Sequence, residues 1–184
     1  MRVQRPRSSP SPLRSSLTRH PLGVAAIVLV LCAGMGGEPG PPVGKPLVHL
    51  ASAWQVAPDG GVSTAEATIL LFQSGSRFVE HSCWLIRQRN GSWTISNGDG
   101  HVALIGRWTM TGGHVVITPE AAYREVAVVG ASRDPVCGES RSFEVQGDGV
   151  RAGDTVFRSA KRLSTEDVER WATALGKGSK GCGA

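Results

Sequence analysis

No acidic residue precedes Glu38 in this 184-residue chain. The five arginines ahead of it, Arg2, Arg5, Arg7, Arg14 and Arg19, carry the whole formal charge of +5, leaving 15 basic against 15 acidic residues from Met35 onward. A body without excess charge excludes nucleic acid as a partner, because such a binder concentrates its cations on the folded domain, where they displace counterions from phosphates. The pairs Arg87/Arg89 and Lys161/Arg162 are too small for that and read as solvated strand edges. Catalytic signatures are missing too. No G-x-S-x-G, H-E-x-x-H or phosphate-loop motif occurs, so the expectation is a non-enzymatic protein with no cofactor. There is no C-x-x-C, and His81-Ser82-Cys83 offers two ligands on one strand face, short of a tetrahedral zinc site. The other body histidines, His49, His101 and His114, fall in separate strands or turns. His101 and His114 flank one predicted hairpin and suit a surface pair. Asp99, Asp148 and Asp154 read as turn residues whose short side chains bond the backbone.

What is present begins with a leader. Arg, Ser and Pro dominate residues 1–20, followed by the apolar run "LGVAAIVLVLCA" from Leu22 to Ala33 and the small residues Gly34, Gly36 and Gly37. A basic segment, about 12 apolar residues and a small-residue exit are the three parts of a secretory signal. The run falls short of the roughly 20 residues that span a bilayer as a helix. Cleavage after Gly34 or Gly36 fits. The rival is an uncleaved anchor with the Arg-rich end held inside, and on either reading the membrane is touched only through this segment. Lipidation at Cys32 fits poorly, since Leu31 stands where a lipobox needs a small residue. The expected location is exported: periplasmic, extracellular, or anchored and facing outward.

Cys83, Cys137 and Cys182 lie in the exported part and allow one bridge and one spare thiol. The favoured pairing is Cys83–Cys137, joining a strand to the loop "SRDPVCGES"; Cys182 could equally staple the tail to the body.

Residues 37–46 form a Pro/Gly linker. Alternation then takes over, as half-buried strands require. Val48, Leu50, Trp54 and Val56 share parity, Ala67, Ile69 and Leu71 repeat it, and a long strand-like stretch runs from Arg77 to Arg89. Asn90-Gly91 reads as a two-residue hairpin, which explains the Asn90-Gly91-Ser92 sequon more simply than glycosylation. Gly91-Ser92-Trp93-Thr94 returns as Gly106-Arg107-Trp108-Thr109. In each copy the Trp points inward and the Thr outward, and a Gly two residues before a Trp leaves room for a ring or lets the strand coil. Both tryptophans are expected in the core, with Trp54, Trp93 and Trp108 as the candidates to line a ligand cavity. Further strands are expected at Tyr123–Val129, Ser142–Gln146 and Thr155–Ala160. From Leu163 to Gly176 the texture becomes helical: Ser164 is an N-cap, acids fill the first turn, Leu163 staples onto Val168, and Val168, Trp171 and Leu175 make one stripe. Gly176 suits a left-handed stop.

The expected fold is therefore mainly β: an antiparallel up-and-down barrel or sandwich of eight or nine short strands with one C-terminal helix. The domain plan is a leader (1–36), a linker (37–46), a barrel-like domain (47–176) and a flexible tail (177–184). The succession "ILLFQSGSRFVE", then Gly-x-Trp near a turn, then "GRWTMTGGHVVIT" resembles the small exported lipocalin-like β-barrels of bacteria over residues 47–175. That resemblance implies a barrel with a ligand role. Its G-x-W lies mid-chain rather than in the first strand, so no site residue is carried over. Three functions follow in order: an exported domain binding a small apolar molecule or an envelope protein; a filled-core structural or interaction domain on an uncleaved anchor; and a hydrolase-like enzyme with a scattered site.

Overall fold

The computed structural model of the chain describes residues 40–58, 60–97, 100–125 and 137–182. The expected leader, the start of the linker at 37–39, and the strand expected beyond residue 125 lie outside them.

Among the described residues eleven strands follow in order: β1 (Pro46–Leu50), β2 (Gln55–Val56), β3 (Ser63–Gln73), β4 (Arg77–Arg87), β5 (Trp93–Ile95), β6 (Val102–Thr111), β7 (His114–Arg124), β8 (Arg141–Gln146), β9 (Gly149–Ala152), β10 (Thr155–Ser159) and β11 (Lys180–Gly181). Eight of them close on themselves in the order β3-β1-β10-β9-β8-β7-β6-β4, with β4 returning to β3, every pairing antiparallel. This is an up-and-down barrel, and closure leaves these eight strands no free edge. The eleven-residue strands β3 and β4 outrun their barrel partners and carry β2 and β5 on their overhang. Tyr123 belongs to β7 rather than to a new strand.

Sequence parity decides which side each residue takes. In β3, Ile69, Leu70, Leu71 and Phe72 are all buried, though alternate residues face opposite ways. Leu70 and Phe72 enter the lumen with Leu47, Phe78, Val115, Ile117, Phe143, Val150 and Phe157. Ile69 and Leu71 turn outward into a second apolar layer with Val48, Cys83, Leu85, Leu163 and Val168. The cover on that outer layer is the helix Thr165–Gly178, whose Val168, Ala172 and Leu175 are buried. Ala172 closes a third contact with Val79 and Ile105 on the outer wall of β4 and β6. A strand covered on both faces loses its polar alternation, which is why this stretch of β3 reads as an unbroken apolar run.

The helix begins where expected. Ser164 is extended, and its hydroxyl accepts from the Asp167 amide at 3.4 Å. Ser164→Ala is expected to lower stability by about 1 kcal/mol, read as a shift of the urea midpoint. The helix does not stop at Gly176 but runs to Gly178, capped by Ser179. Gly178 lies against the Tyr123 ring, where a Cβ would stand 2.8 Å from Cε2. After it, Lys180 and Gly181 pair with Ala122 and Ala121 of β7, and Cys182 is bonded to Cys137. The tail expected to be flexible is thus fixed through residue 182. Its pairing also corrects the expected bridge: Cys83, on the outer face of β4 beneath the helix, is buried and free. Cys83 and Cys137 do not bond because the β7 pairing brings residue 182, not β4, to Cys137.

Residues 88–92 form a hairpin, but a three-residue one: the Gln88 amide donates to Ser92 O and the Gly91 amide to Gln88 O, both at 2.9 Å. Only Gly91 takes positive φ (83°), whereas a two-residue turn would need it at Asn90 too. Asn90 Oδ1 instead accepts from the Ser92 amide and hydroxyl. In the linker, Gly44 donates to Phe72 O at 2.8 Å and Pro46 opens β1, so its second half lies on the barrel.

Candidate functional site

The three tryptophans offered as candidates to line a cavity, Trp54, Trp93 and Trp108, are divided between two layers. Trp108 enters the lumen, edge-on to Phe72 at 5.9 Å, and its indole N–H donates to Gln73 O at 3.3 Å. Trp54 and Trp93 lie outside the barrel on the β3–β4 overhang, their rings 5.1 Å apart, with the Arg87 guanidinium 5.1 Å over Trp54. The Trp93 amide donates to Arg162 O at 2.8 Å, which ties β5 to the approach of the helix. None of the five main clefts over the described residues is lined by Trp54, Trp93 or Trp108. Around Trp108 the lumen is filled by Phe72, Phe78, Phe143 and Phe157, while the Trp93 indole N–H is buried without a hydrogen-bond partner among the described residues.

The lumen is not apolar throughout. On β3 the lumen parity runs Phe72, Leu70, Thr68, Glu66; on β4 it runs Phe78, Glu80, Ser82, Trp84. On β8, Arg141 pairs with Ile117 and so shares the lumen side with Phe143. Glu80 and Arg141 form an ion pair although β4 and β8 are not neighbours, so the contact crosses the lumen itself. Glu80 is the deeper partner, its side chain 11% exposed against 41% for Arg141. The Arg141 guanidinium also sits 5.8 Å over the Phe143 ring, at the boundary with the apolar half. Beside this pair the hydroxyls of Thr68 and Ser82 are 3.2 Å apart across the ladder. On β1, His49 Nδ1 donates to Val156 O at 3.2 Å. Ala51, Glu66, Ala67, Thr68, Ser82, Cys83, Trp84 and Gly100 then line an open cleft of about 200 Å³, to which Ala67 and Cys83 contribute from the outer parity of β3 and β4.

A second constellation stands outside the barrel, under the helix. His81 and His101 are each 2% exposed, and His81 Nε2 lies 2.8 Å from His101 Nδ1. Trp171 stacks on His101 at 4.5 Å with 20° between planes and reaches His81 at 5.7 Å. His81 Nδ1 and His101 Nε2 are buried and have no hydrogen-bond partner among the described residues. Burial, reinforced by the neighbouring His101, pushes the His81 pKa down to about 3. Burial alone pushes the Cys83 thiol up to about 12, so it is a protonated, unreactive thiol. No three His, Cys, Asp or Glu side chains gather as metal ligands among the described residues.

No family model, curated protein or solved structure matches this chain.

The chemistry is therefore read from the geometry. The expected His101–His114 pair does not form: His114 sits at the far hairpin opposite Thr111 and Glu144, while His101 meets His81 where β6 pairs with β4. Sequence reasoning missed the lumen polar set as well. Its signal was a charge on an apolar parity: Phe78-x-Glu80-x-Ser82-x-Trp84 keeps one face while changing character.

Proposed function

We propose that this is an exported, non-enzymatic binding domain of lipocalin-like kind, whose ligand enters the polar end of the barrel. One observation carries the reading: an ion pair, Glu80–Arg141, spans a lumen whose other half is filled by phenylalanines and Trp108. Apolar residues of similar volume in place of such a pair are often neutral or stabilising, so stability alone does not account for it. The cleft above it favours a small polar molecule over the apolar one expected from sequence. Glu66, Thr68 and Ser82 offer acceptors, Trp84 offers a ring face, and about 200 Å³ holds only a small group. A cationic amine meets both features, since carboxylates pair with it and the indole attracts it. Export rests on the leader and is supported by the disulfide, which persists in oxidising compartments.

The test is a titration of the folded chain, followed by amide NMR, with choline, acetate and laurate in turn. Choline is expected to shift the amides of Glu66, Thr68, Ser82 and Trp84, with the shifts reduced at least fivefold in Glu66→Gln. Shifts confined to Phe72, Trp108 and Phe143 with laurate would replace this reading by an apolar carrier. No shift with any probe would leave a filled-core interaction domain.

A further inference from the structure

The helix is fastened to the barrel through a pair of groups that acid can charge. We propose that His81 and His101 form an acid-sensitive latch: proton uptake by the pair lifts the helix off β4 and β6, while the Cys137–Cys182 bridge keeps its far end attached.

The hydrogen count supports this. With both rings neutral, one N–H lies between His81 Nε2 and His101 Nδ1, one ring donating and the other accepting across 2.8 Å. The two outer nitrogens then hold one proton and one lone pair, both buried. A further proton either fills the lone pair on an outer nitrogen or sets two N–H groups against each other in the centre. Both outcomes bury a charge, and the second breaks the bond.

Among the described residues that charge has no partner. On β4 the nearest titratable neighbour on the same face is the Cys83 thiol. On β7, Tyr123 shares the rung with Ala103 and His81, and Glu125 donates its amide to His101 O. From the helix comes the face of Trp171, and at the rim Asp167 is paired with Arg170. Among the described residues no carboxylate bonds either imidazole. None of the described groups solvates the imidazolium, and the helix, through Trp171, stands between it and water.

The sign follows from burial. A histidine whose folded pKa is depressed contributes stability that is present above its ordinary value of 6.5 and is lost as pH falls toward the folded value of about 3. Each pH unit inside that window multiplies the open population about tenfold for one proton. The far end behaves differently, because β11 pairing and the disulfide hold Lys180 to Cys182 on β7. Opening is thus a hinged movement, and it uncovers the buried thiol of Cys83.

Cys83 supplies the readout. The full, oxidised chain carrying Cys32→Ser, so that Cys83 is the one thiol outside the bridge, is treated with 4,4′-dithiodipyridine, which reacts with thiols in acid, and rates are normalised to the urea-unfolded chain at each pH. Hydrogen exchange of residues 165–178 is followed in parallel. Both are expected to show the open population rising about 30-fold between pH 7.5 and pH 5. In the double variant His81→Leu/His101→Leu the profile is expected to be flat. A flat profile in the native chain, or an unchanged rise in the double variant, overturns the proposal. Should the double variant fail to fold, imidazole NMR of the native chain decides: His81 protonated at pH 6 with the helix amides still protected also overturns it.

Discussion

Cys182→Ser is expected to lower the stability of the oxidised chain by about 4 kcal/mol on the chain-entropy estimate for a loop of this size. The bridge joins residues 45 apart and encloses β8, β9, β10, the helix and β11, so its loss frees a loop carrying three of the eight barrel strands in the unfolded ensemble. Cys137→Ser should fall by the same amount, because either change opens the same loop. Cys83→Ala should behave otherwise. It keeps the bridge and forfeits only the packing of one buried sulfur, about 1 kcal/mol. Urea midpoints of the three variants, with slopes compared, separate the cases. Equal losses for Cys83→Ala and Cys137→Ser, with Cys182→Ser unaffected, would restore the pairing first favoured from sequence. The native chain with the bridge reduced should match the Cys182→Ser midpoint.

That pairing shows where sequence reasoning reaches its limit. Alternation and turn residues are local, and they led correctly to a mainly β chain, an up-and-down order and a C-terminal helix starting after Ser164. Cysteine partners are not local. The choice of Cys182 depends on β11 lying beside β7, and two residues of strand leave no periodic trace. The same limit separates Trp54 and Trp93 from Trp108. Trp93 and Trp108 both stand in strands, but Trp54 precedes β2 and Trp93 belongs to an overhang outside the closed barrel, and closure is a property of the whole ladder. The polar half of the lumen was written in the parity of Phe78, Glu80, Ser82 and Trp84. Recognising it required knowing that β4 and β8 face each other across a lumen. The His81–His101 contact likewise depends on the β4–β6 register, which sets His81 opposite Ala103 and brings residue 101 alongside. Local grammar chose the elements, and long-range register made the sites.

Gly106→Ala is the other substitution expected to weigh heavily, lowering stability by at least about 3 kcal/mol, the upper end of ordinary overpacking. A Cβ on Gly106 would stand 2.0 Å from Thr118 O and 2.9 Å from both Glu120 N and the Phe78 ring. Two of those neighbours are backbone of β7, in the stretch where the β6–β7 register shifts, so no side-chain rotation relieves the contact. The added methyl must push β6 and β7 apart or drive Phe78 from the lumen, and either change loosens the Phe72–Trp108 contact beside it. Gly112→Ala makes the contrast. That site lies in open space but at a φ of 56°, so its penalty is backbone strain alone, about 1 kcal/mol. Urea midpoints should rank Gly106→Ala well below Gly112→Ala, and near-UV circular dichroism should lose tryptophan fine structure only in the former. A reversed order would mean that turn conformation, rather than strand approach, governs this hairpin. The Gly two residues before Trp108 would then lose its physical explanation: the bare backbone there is what lets the barrel wall bend tightly over a ring.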